Sequence, residues 1–208
     1  MQGVIDAAAI ARAAEQAHLA IDACAAEQLA RFAALLLRWN KSFNLIARGD
    51  EDRFLSRHLI DSLTASAWLE GSRVADLGTG AGLPGIPLAI NNPARHFVLL
   101  DRGERRLQFV RQAIIDLGLD NVMPVQTDIG RYRPETLFDT VVSRAVGEPT
   151  KLWRMAQPML GATGRAVFFC GPEAIAPSNA DGAKQIQIDE VALPGLERRH
   201  RLLVIDRA

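Results

Sequence analysis

Cysteine and histidine are scarce in this chain of 208 residues. The two cysteines, Cys24 and Cys170, are far apart and form no CxxC pair, and the four histidines are scattered without a His/Cys cluster. This usage is typical of reduced thiols in a cytoplasmic setting and argues against a disulfide framework. Because no cluster has the spacing of metal ligands, we also expect no metal site.

An excess of one charge is absent, as are long apolar runs. Lysines and arginines number 24, as do aspartates and glutamates, so the formal net charge is zero. Any nucleic-acid partner must then be met by a local basic patch. The longest uncharged stretch, residues 77–94, holds four glycines, three prolines and two asparagines, so it predicts no membrane span. The alanine-rich start is interrupted by charges and lacks the order of a signal peptide.

What the chain does have is two different periodicities. Leu29, Phe32 and Leu36 recur at helical spacing, and residues 1–70 predict a helical extension. From residue 71 to 208, short apolar segments alternate with helical ones, which predicts a single α/β domain. Alternation of this kind implies a parallel sheet covered by helices on both faces.

Seven strands are expected in this second part of the chain. They are predicted at Val74–Leu77, Phe97–Leu100, Val122–Gln126, Phe138–Ser143, Ala166–Cys170, near Gln185–Val191, and at Leu202–Ile205. The last two lack a long helix between them, which favours an antiparallel hairpin at the edge. One helix should end at Gly118, because glycine takes a left-handed cap without strain, and another is predicted over 152–160. The predicted fold is a Rossmann-like, doubly wound, mostly parallel seven-stranded sheet with an antiparallel edge strand.

The segment from Gly78 to Gly85, called here the glycine loop, reads Gly-Thr-Gly-Ala-Gly-Leu-Pro-Gly. It follows the first predicted strand and precedes a helix. Glycines at alternate positions let a ligand lie close to the backbone. We expect the helix that follows to turn unpaired N–H groups toward that ligand. The loop therefore predicts a small-molecule site at the carboxyl edge of the sheet.

Two classes of ligand use a loop of this kind. The sequence formally fits the dinucleotide pattern G-x-G-x-x-G, but its proline offers no N–H to a pyrophosphate. The spacing Asp76-x-Gly78-x-Gly80-x-Gly82 instead resembles the first motif of S-adenosylmethionine-dependent methyltransferases. In that interpretation Asp76 supplies charge for the amine of the cofactor.

Two acidic residues follow the second and third predicted strands. Asp101 ends the second strand, and its carboxylate can accept hydrogen bonds from two vicinal ribose hydroxyls. It could instead cap the helix that opens near Glu104. Asp128, after the third strand, could reach an adenine amino group or be an ordinary loop acid. Both aspartates are thus candidate cofactor contacts.

Several blocks of residues carry a closer resemblance. They are Trp39-Asn40-Lys41-Ser42-Phe43-Asn44-Leu45, Arg57-His58-Leu59-Ile60-Asp61-Ser62, residues 76–87, Phe138-Asp139, Val142-Ser143-Arg144-Ala145 and Arg199-His200. In order, they resemble the glucose-inhibited division protein B family, also called ribosomal RNA small-subunit methyltransferase G. The resemblance covers the chain from about residue 20 to 205. Its first two blocks are the most specific, since many methyltransferases share the glycine loop.

This resemblance implies an activity and a set of site residues. The family transfers a methyl group from S-adenosylmethionine to N7 of a guanosine in 16S, small-subunit ribosomal RNA. Carried over by motif, the cofactor contacts are Gly78 and Leu83 in the loop, Asp101 at the ribose, Ile129 and Gly130 at the adenine, and Arg144 at the mouth of the site. Arg144 is also the candidate catalytic residue, as a clamp on a phosphate or on the cofactor. Its alternative role is a structural salt bridge at a strand end.

The chain departs from the family pattern in three places. Ile129-Gly130 stands where a small residue followed by Glu is expected, so only a backbone contact carries over. Cys170 precedes glycine where the family usually has lysine, so the resemblance brings no cation to that position. The chain ends Asp206-Arg207-Ala208 in place of a lysine cluster.

RNA affinity should come from local cations, because the whole chain is neutral. The candidates are Arg38, Lys41, Arg48, Arg53 and Arg57 in the extension and Arg198, Arg199 and Arg201 near the C-terminus. Trp39 and Phe43 could stack on bases, although Trp39 also continues the apolar stripe. His58 and Asp61 lie on one helical turn, either as a buried polar pair or in a cleft.

Other functions remain open on the sequence alone. A nicotinamide-dependent oxidoreductase would bind NAD, against which Pro84 and Asp76 argue. A non-catalytic module would bind S-adenosylmethionine and RNA without turnover. Protein or a small metabolite could replace RNA as the methyl acceptor. Over these alternatives we expect a monomeric, cytoplasmic methyltransferase that acts on 16S ribosomal RNA or on the small ribosomal subunit.

Overall fold

A computed structural model describes most of the chain. The described residues are 5–144, 147–173, 176–177, 180–191, 193 and 200–208. Three residues named above, Ala145, Arg198 and Arg199, lie outside these ranges, as does the side chain of Arg48.

Two helices open the extension, and an aspartate caps each of them. The carboxylate of Asp6 accepts the Ala9 N–H at 2.7 Å and begins α1 (Ala7–Gln16). Asp22 does the same for α2 (Ala23–Phe43), accepting the Ala25 N–H at 2.7 Å. Side-chain acceptors at this position satisfy N–H groups that a helix leaves unpaired.

Short helical turns, rather than one regular helix, connect α2 to the sheet. They are a 3-10 turn at Arg48–Arg53, a π-helical segment at Leu55–Ile60, α3 (Asp61–Leu63) and a 3-10 turn at Thr64–Trp68. Segments of π-helix occur often at functional sites. Here the π-helical segment carries Arg57 and His58, two residues of the second resemblance block.

The sheet has seven strands in the order β3-β2-β1-β4-β5-β7-β6. They are β1 (Arg73–Leu77), β2 (His96–Asp101), β3 (Val122–Gln126), β4 (Phe138–Arg144), β5 (Leu160–Cys170), β6 (Ala183–Val191) and β7 (His200–Arg207). Strands β1 to β5 pair in parallel, whereas β7 is antiparallel to both β5 and β6. The α/β class, the seven strands and the antiparallel pairing at the edge are therefore confirmed.

Three further helices connect the strands: α4 (Gly85–Asn91), α5 (Glu104–Leu117) and α6 (Pro149–Ala156). Gly118 caps α5 with a left-handed φ of 65°, as predicted. The helix predicted over 152–160 is wrong at its end. The α-helix stops at Ala156, and a 3-10 turn follows at Gln157–Met159, where Pro158 has no N–H to continue the α-helical hydrogen bonds.

The extension shares one hydrophobic core with the sheet and its helices. Phe32 and Leu36 of α2 are fully buried in the cluster that also contains Leu99 of β2 and Phe109 of α5. The rings of Phe32 and Phe109 have centroids 6.2 Å apart, a distance typical of favourable aromatic pairs. This packing fixes the extension against the sheet, so its later residues reach the cavity described next.

Candidate active site

A cavity of about 810 Å³ opens at the carboxyl ends of the parallel strands. Its walls come from the glycine loop after β1, the ends of β2, β4 and β5, the loop after β3, and the extension. Strand order reverses beside β1, which lies between β2 and β4. In open α/β sheets, ligands bind at such a reversal, beyond the carboxyl ends of the strands.

The glycine loop needs glycine at three positions. Gly78, Gly80 and Gly82 have φ angles of 71°, 58° and 77°, a region that side chains other than glycine rarely adopt. At Gly82, an added Cβ would also come within 2.4 Å of Ile86 Cδ1. The Gly78 N–H donates to Leu100 O at 2.8 Å, which ties the loop to the end of β2. The loop is therefore a fixed, open wall of the cavity.

Asp76 holds this loop from behind. Its side chain is fully buried, and its Oδ2 accepts the Gly85 N–H at 2.9 Å. Burial raises the pKa of Asp76 to about 6, although the Gly85 amide favours its charged form. Its Oδ1 has no hydrogen-bond partner among the described residues. Asp76 is not part of the cavity wall, and its predicted contact with an amine stays a prediction.

The expectation that the first turn of α4 faces the ligand with free N–H groups is wrong. The Gly85 N–H donates to Asp76, and the Ile86 N–H donates to Gly82 O at 2.7 Å. Pro87 has no N–H to offer. These groups are satisfied inside the protein, so the loop presents its glycine backbone to the cavity instead.

Asp101 combines a structural role with exposure to the cavity. Its Oδ2 accepts the Gly80 N–H at 2.9 Å, and its Oδ1 accepts the Gly103 N–H at 2.7 Å. The N-cap of α5 is Gly103 rather than Asp101, so the simple capping role is wrong. Each carboxylate oxygen retains a second lone pair, and Asp101 is part of the cavity wall. The carboxylate can therefore fix the loop and still accept from a ligand.

The loop after β3 contributes a turn that Asp128 caps. Asp128 Oδ1 accepts the Gly130 N–H at 2.9 Å and begins the 3-10 turn Ile129–Arg131. Asp128 and Ile129 line the cavity, whereas Gly130 does not. The two alternatives for Asp128, a loop acid and a ligand contact, are therefore compatible.

Arg144 ends β4 on the opposite side of β1 and forms the salt bridge that was its alternative role. Its Nη1 lies 3.5 Å from Asp61 Oδ2 and 3.4 Å from His58 O. Burial raises the pKa of Asp61, and the Arg144 charge works against that rise. Both side chains line the cavity. The salt bridge is thus part of the cavity wall.

Two histidines border this salt bridge. Burial, assisted by the Arg144 charge, lowers the pKa of His58 to about 4, so the imidazole is neutral near pH 7. His58 Nε2 lies 3.4 Å from Asp50 Oδ2, and His200 Nδ1 lies 3.4 Å from Asp61 Oδ1. The sequence assigned no role to His200 or Asp50. The Arg199-His200 block was a signal for His200, whereas nothing marked Asp50.

The cavity thus brings together most of the predicted site residues. Those in its wall are Gly78, Gly80, Leu83, Asp101, Asp128, Ile129 and Arg144. Asp76, Gly82 and Gly130 are not in the wall: Asp76 and Gly82 are buried behind the glycine loop, and the exposed Gly130 donates its N–H to Asp128. Cys170 also lines the cavity, and burial raises the pKa of its thiol, which keeps it neutral.

Of the predicted RNA-binding cations, Arg57 lines the cavity with its side chain about half exposed. The others that the structure describes in the extension, Arg38, Lys41 and Arg53, are exposed and lie outside the cavity wall. Trp39 is partly buried against Phe43 and Phe109, with ring centroids 4.8 and 5.7 Å away.

The described part of the chain contains neither a candidate metal centre nor a candidate membrane-spanning helix. Within those ranges, no group of three or more histidines, cysteines, aspartates and glutamates is arranged to hold a metal ion. None of the helices described there has the length and hydropathy needed to cross a bilayer.

The cavity wall fits a nucleoside with a charged tail. The glycine backbone allows close approach, and the Asp101 carboxylate has acceptor capacity for vicinal hydroxyls. Apolar side chains of Leu83 and Ile129 can flank a flat base. S-adenosylmethionine has each of these parts, so the residues present fit that cofactor.

The Rossmann-like sheet, the glycine loop and the acid at the end of β2 define the fold of S-adenosylmethionine-dependent methyltransferases. Similar solved structures include M. jannaschii TYW2 in complex with AdoMet, with a TM-score of 0.58 and 16% identity over 74% of this chain and 78% of that one. TrmN from Thermus thermophilus matches with a TM-score of 0.54 and 21% identity over 71% of this chain and 47% of that one. At these identities the similarity shows the fold alone.

The sequence comparisons go further. The family model for rRNA small subunit methyltransferase G, GidB, matches residues 25–201, and the chain belongs to this family. A ribosomal RNA small subunit methyltransferase G from Methylococcus capsulatus is 42% identical over 85% of this chain and 86% of its own length. One from Shewanella amazonensis is 39% identical over 93% of this chain and 95% of its own length.

Family membership confirms the predicted class of enzyme. The protein is a methyltransferase of small-subunit ribosomal RNA, and its methyl donor is S-adenosylmethionine. The nicotinamide-dependent oxidoreductase considered from the sequence is therefore wrong.

Proposed function

We propose that the protein transfers the methyl group of S-adenosylmethionine to N7 of a guanosine in 16S ribosomal RNA. The observation that carries the proposal is one cavity with two chemically different ends. Asp101 and Asp128 line the end above β2 and β3, whereas Asp61 and Arg144 line the end toward β4 and β7. A nucleoside cofactor at the first end leaves the second for the methyl acceptor.

The proposed cofactor site comprises wall residues and residues that shape the wall. It consists of Asp76, Gly78, Gly80, Gly82, Leu83, Asp101, Asp128, Ile129, Gly130 and Arg144. Asp101 would accept from the ribose hydroxyls, and Ile129 would pack on the adenine. Gly82 and Asp76 would act through the loop, because neither is part of the cavity wall.

Guanine N7 has an in-plane lone pair and no proton, so the reaction needs no general base. When bound, S-adenosylmethionine supplies an electrophilic methyl carbon on a sulfonium. The N7 lone pair would form the new bond to that carbon, and the electron pair of the C–S bond would leave with sulfur. The protein's contribution is then orientation, which can supply on the order of 7–11 kcal/mol of a barrier.

Arg144 would serve this reaction without touching N7. A guanidinium at N7 would compete for the lone pair that attacks the methyl carbon. Its salt bridge with Asp61, at 3.5 Å, instead favours the charged form of that carboxylate in the cavity. The part of Arg144 that lines the cavity could also clamp an RNA phosphate or the cofactor carboxylate.

We further propose that the protein acts as a cytoplasmic monomer on 16S RNA or the assembled small subunit. Residues 1–70 would form an extension that delivers Arg57 and Asp61 to a methyltransferase domain of residues 71–208. The unpaired, widely separated cysteines support the location. Light scattering on a size-exclusion column should give the mass of one chain, and a dimer mass would contradict the monomer.

Methyl transfer can be tested directly. The protein is incubated with isotope-labelled S-adenosylmethionine and either small ribosomal subunits or naked 16S RNA, and the RNA is digested to nucleosides. We expect the label in 7-methylguanosine. Label in another nucleoside or in ribosomal protein would contradict the proposal, and bound cofactor without turnover would favour the non-catalytic module.

A further inference from the structure

A polar cluster at one end of the cavity contains side chains, Asp61 and His200, that the proposed cofactor contacts do not use. Asp61, the first residue of α3, lies between Arg144 at the end of β4 and His200 at the start of β7. Asp101 and Asp128 follow β2 and β3, on the other side of β1 in the strand order. The cluster therefore faces the end of the cavity that the methyl acceptor must enter.

Asp61 is buried but keeps an unused acceptor. Its side chain is only 4% exposed, yet it lines the cavity. No described residue forms a hydrogen bond with its Oδ1, although His200 Nδ1 lies 3.4 Å away. Leaving a buried acceptor without a partner is unfavourable. A ligand that donates hydrogen bonds at this point would remove that penalty.

We propose that Asp61 reads the Watson–Crick edge of the target guanine, an inference that rests on the function proposed above. Guanine presents N1–H and the N2 amine side by side on that edge, and one carboxylate can accept from both. Adenine places an acceptor at N1, which the carboxylate repels. Enzymes that act on a base taken out of the stack commonly read this edge.

The same contact between Asp61 and the Watson–Crick edge would also orient N7, the reacting atom, toward the cofactor. N7 lies on the imidazole side of guanine, away from N1 and N2, so a base held by its Watson–Crick edge directs N7 out of the Asp61 end. That direction is toward the glycine loop and Asp101, which line the other part of the cavity. The base gains positive charge as N7 is methylated, and a nearby carboxylate stabilises that charge. Arg144 is a positioning residue here, because its guanidinium lies 3.5 Å from Asp61 Oδ2 and holds that carboxylate in the cavity wall.

Inosine in place of the target guanosine provides the test. It lacks only the N2 amine and keeps N1–H and N7, and synthetic RNA ligated into 16S RNA introduces it at the mapped position. We expect wild-type kcat/KM to fall about 10- to 100-fold on the inosine substrate, the range for losing a hydrogen bond to a charged group. In Asp61→Asn, kcat/KM on guanosine falls, and the inosine penalty shrinks to about threefold or less.

Matched variants distinguish recognition of the guanine by Asp61 from an effect of the substitution on folding. Asp50→Asn removes a different acid from the same cavity wall and should keep the full inosine penalty. If Asp61→Asn does not fold because Arg144 is left unpaired, the double variant Asp61→Asn/Arg144→Gln removes both charges and should show the same reduced penalty. An undiminished penalty in the Asp61 variants would assign Asp61 a structural role and overturn the proposal.

Two further outcomes also decide the question. Calorimetry should give the same S-adenosylmethionine affinity for Asp61→Asn as for wild type, and a large loss would place Asp61 on the cofactor instead. Wild-type enzyme that methylates guanosine and inosine RNA equally well would overturn the base-reading role while leaving the proposed function intact. Wild-type enzyme that makes no 7-methylguanosine at all would overturn the proposed function, and the role of Asp61 with it.

Discussion

Among single residues, Asp101 connects the most parts of the site. One carboxylate accepts N–H groups from the glycine loop and from the start of α5, at 2.9 and 2.7 Å, and still lines the cavity. Its position at the end of an apolar strand made it predictable. Its hold on the Gly80 backbone was not predictable, because that bond depends on how the loop folds back over β2.

Replacing Asp101 should weaken the cofactor complex. We expect Asp101→Ala to lose roughly 1–3 kcal/mol of S-adenosylmethionine binding free energy, since the ribose loses a charged acceptor and the loop loses one anchor. Calorimetry measures the affinity, and circular dichroism confirms that the variant is folded. Asp120→Ala, an exposed acid in the turn before β3, is the matched control. Equal affinity of wild type and Asp101→Ala would count against the ribose role.

The lowered pKa of the buried His58 predicts that the free energy of unfolding depends on pH. In the unfolded chain its pKa is 6.5, and burial lowers it to about 4 in the folded protein. Between these values the unfolded state binds the extra proton, so the free energy of unfolding falls as pH falls. From pH 7.5 to pH 5 this loss amounts to about 2 kcal/mol. His58→Gln cannot titrate and should escape it.

Urea denaturation of both proteins at the two pH values measures the difference. The acids with raised pKa, Asp61 and Asp76, act in wild type and variant alike, so to first order their contribution cancels. His96→Gln, at an exposed histidine that begins β2, controls for loss of any histidine and should behave as wild type. A wild type and a His58→Gln variant that lose the same stability would refute a neutral, buried His58.

At the scale of elements, two glycines with left-handed backbone, one in the glycine loop and one at the end of α5, differ in what constrains them. Gly82 and Gly118 have similar φ angles of 77° and 65°, but only at Gly82 would a Cβ meet a neighbour, Ile86 Cδ1 at 2.4 Å. Gly118→Ala should therefore cost only the left-handed backbone, about 1–2 kcal/mol. Gly82→Ala should cost a further 1–3 kcal/mol or so through overpacking.

Chemical denaturation of the two alanine variants tests this difference. The Gly82→Ala protein should also bind S-adenosylmethionine more weakly, because the cavity wall shifts with the loop. Gly118 lies at the end of α5, outside that wall, and its variant should bind normally. Equal stability of the two variants would show that Ile86 yields without cost.

Regular elements were predictable from periodicity, whereas irregular ones were not. The strands of the sheet follow short apolar runs, and Gly118 marked the end of α5 because glycine accepts a left-handed backbone. The π-helical segment at Leu55–Ile60 has no local sequence signature, since it depends on packing against α1 and α2. The α-helix α6 ends before the predicted residue 160, because Pro158 lacks the N–H that an α-helix needs and a 3-10 turn follows at Gln157–Met159. The division of the chain at residue 70 stays a prediction.

For the whole molecule, strand order explains why distant residues meet. Asp101, Asp128 and Arg144 are separated in sequence but end neighbouring parallel strands or follow them, so they reach one edge. The sequence predicted this convergence. It did not predict that the extension completes the wall with Asp61, or that β7 brings His200 within 3.4 Å of it. Those contacts depend on tertiary packing between segments that are far apart in the chain.

The measurement that tests the central claim most directly is a crystal structure with S-adenosylhomocysteine and a guanosine oligonucleotide. We predict the ribose hydroxyls of the cofactor product at the Asp101 carboxylate and its adenine beside Ile129. The guanine should lie at the Asp61 end with N7 toward the sulfur. S-adenosylhomocysteine bound at the Asp61 and Arg144 end, or outside the cavity altogether, would contradict the account.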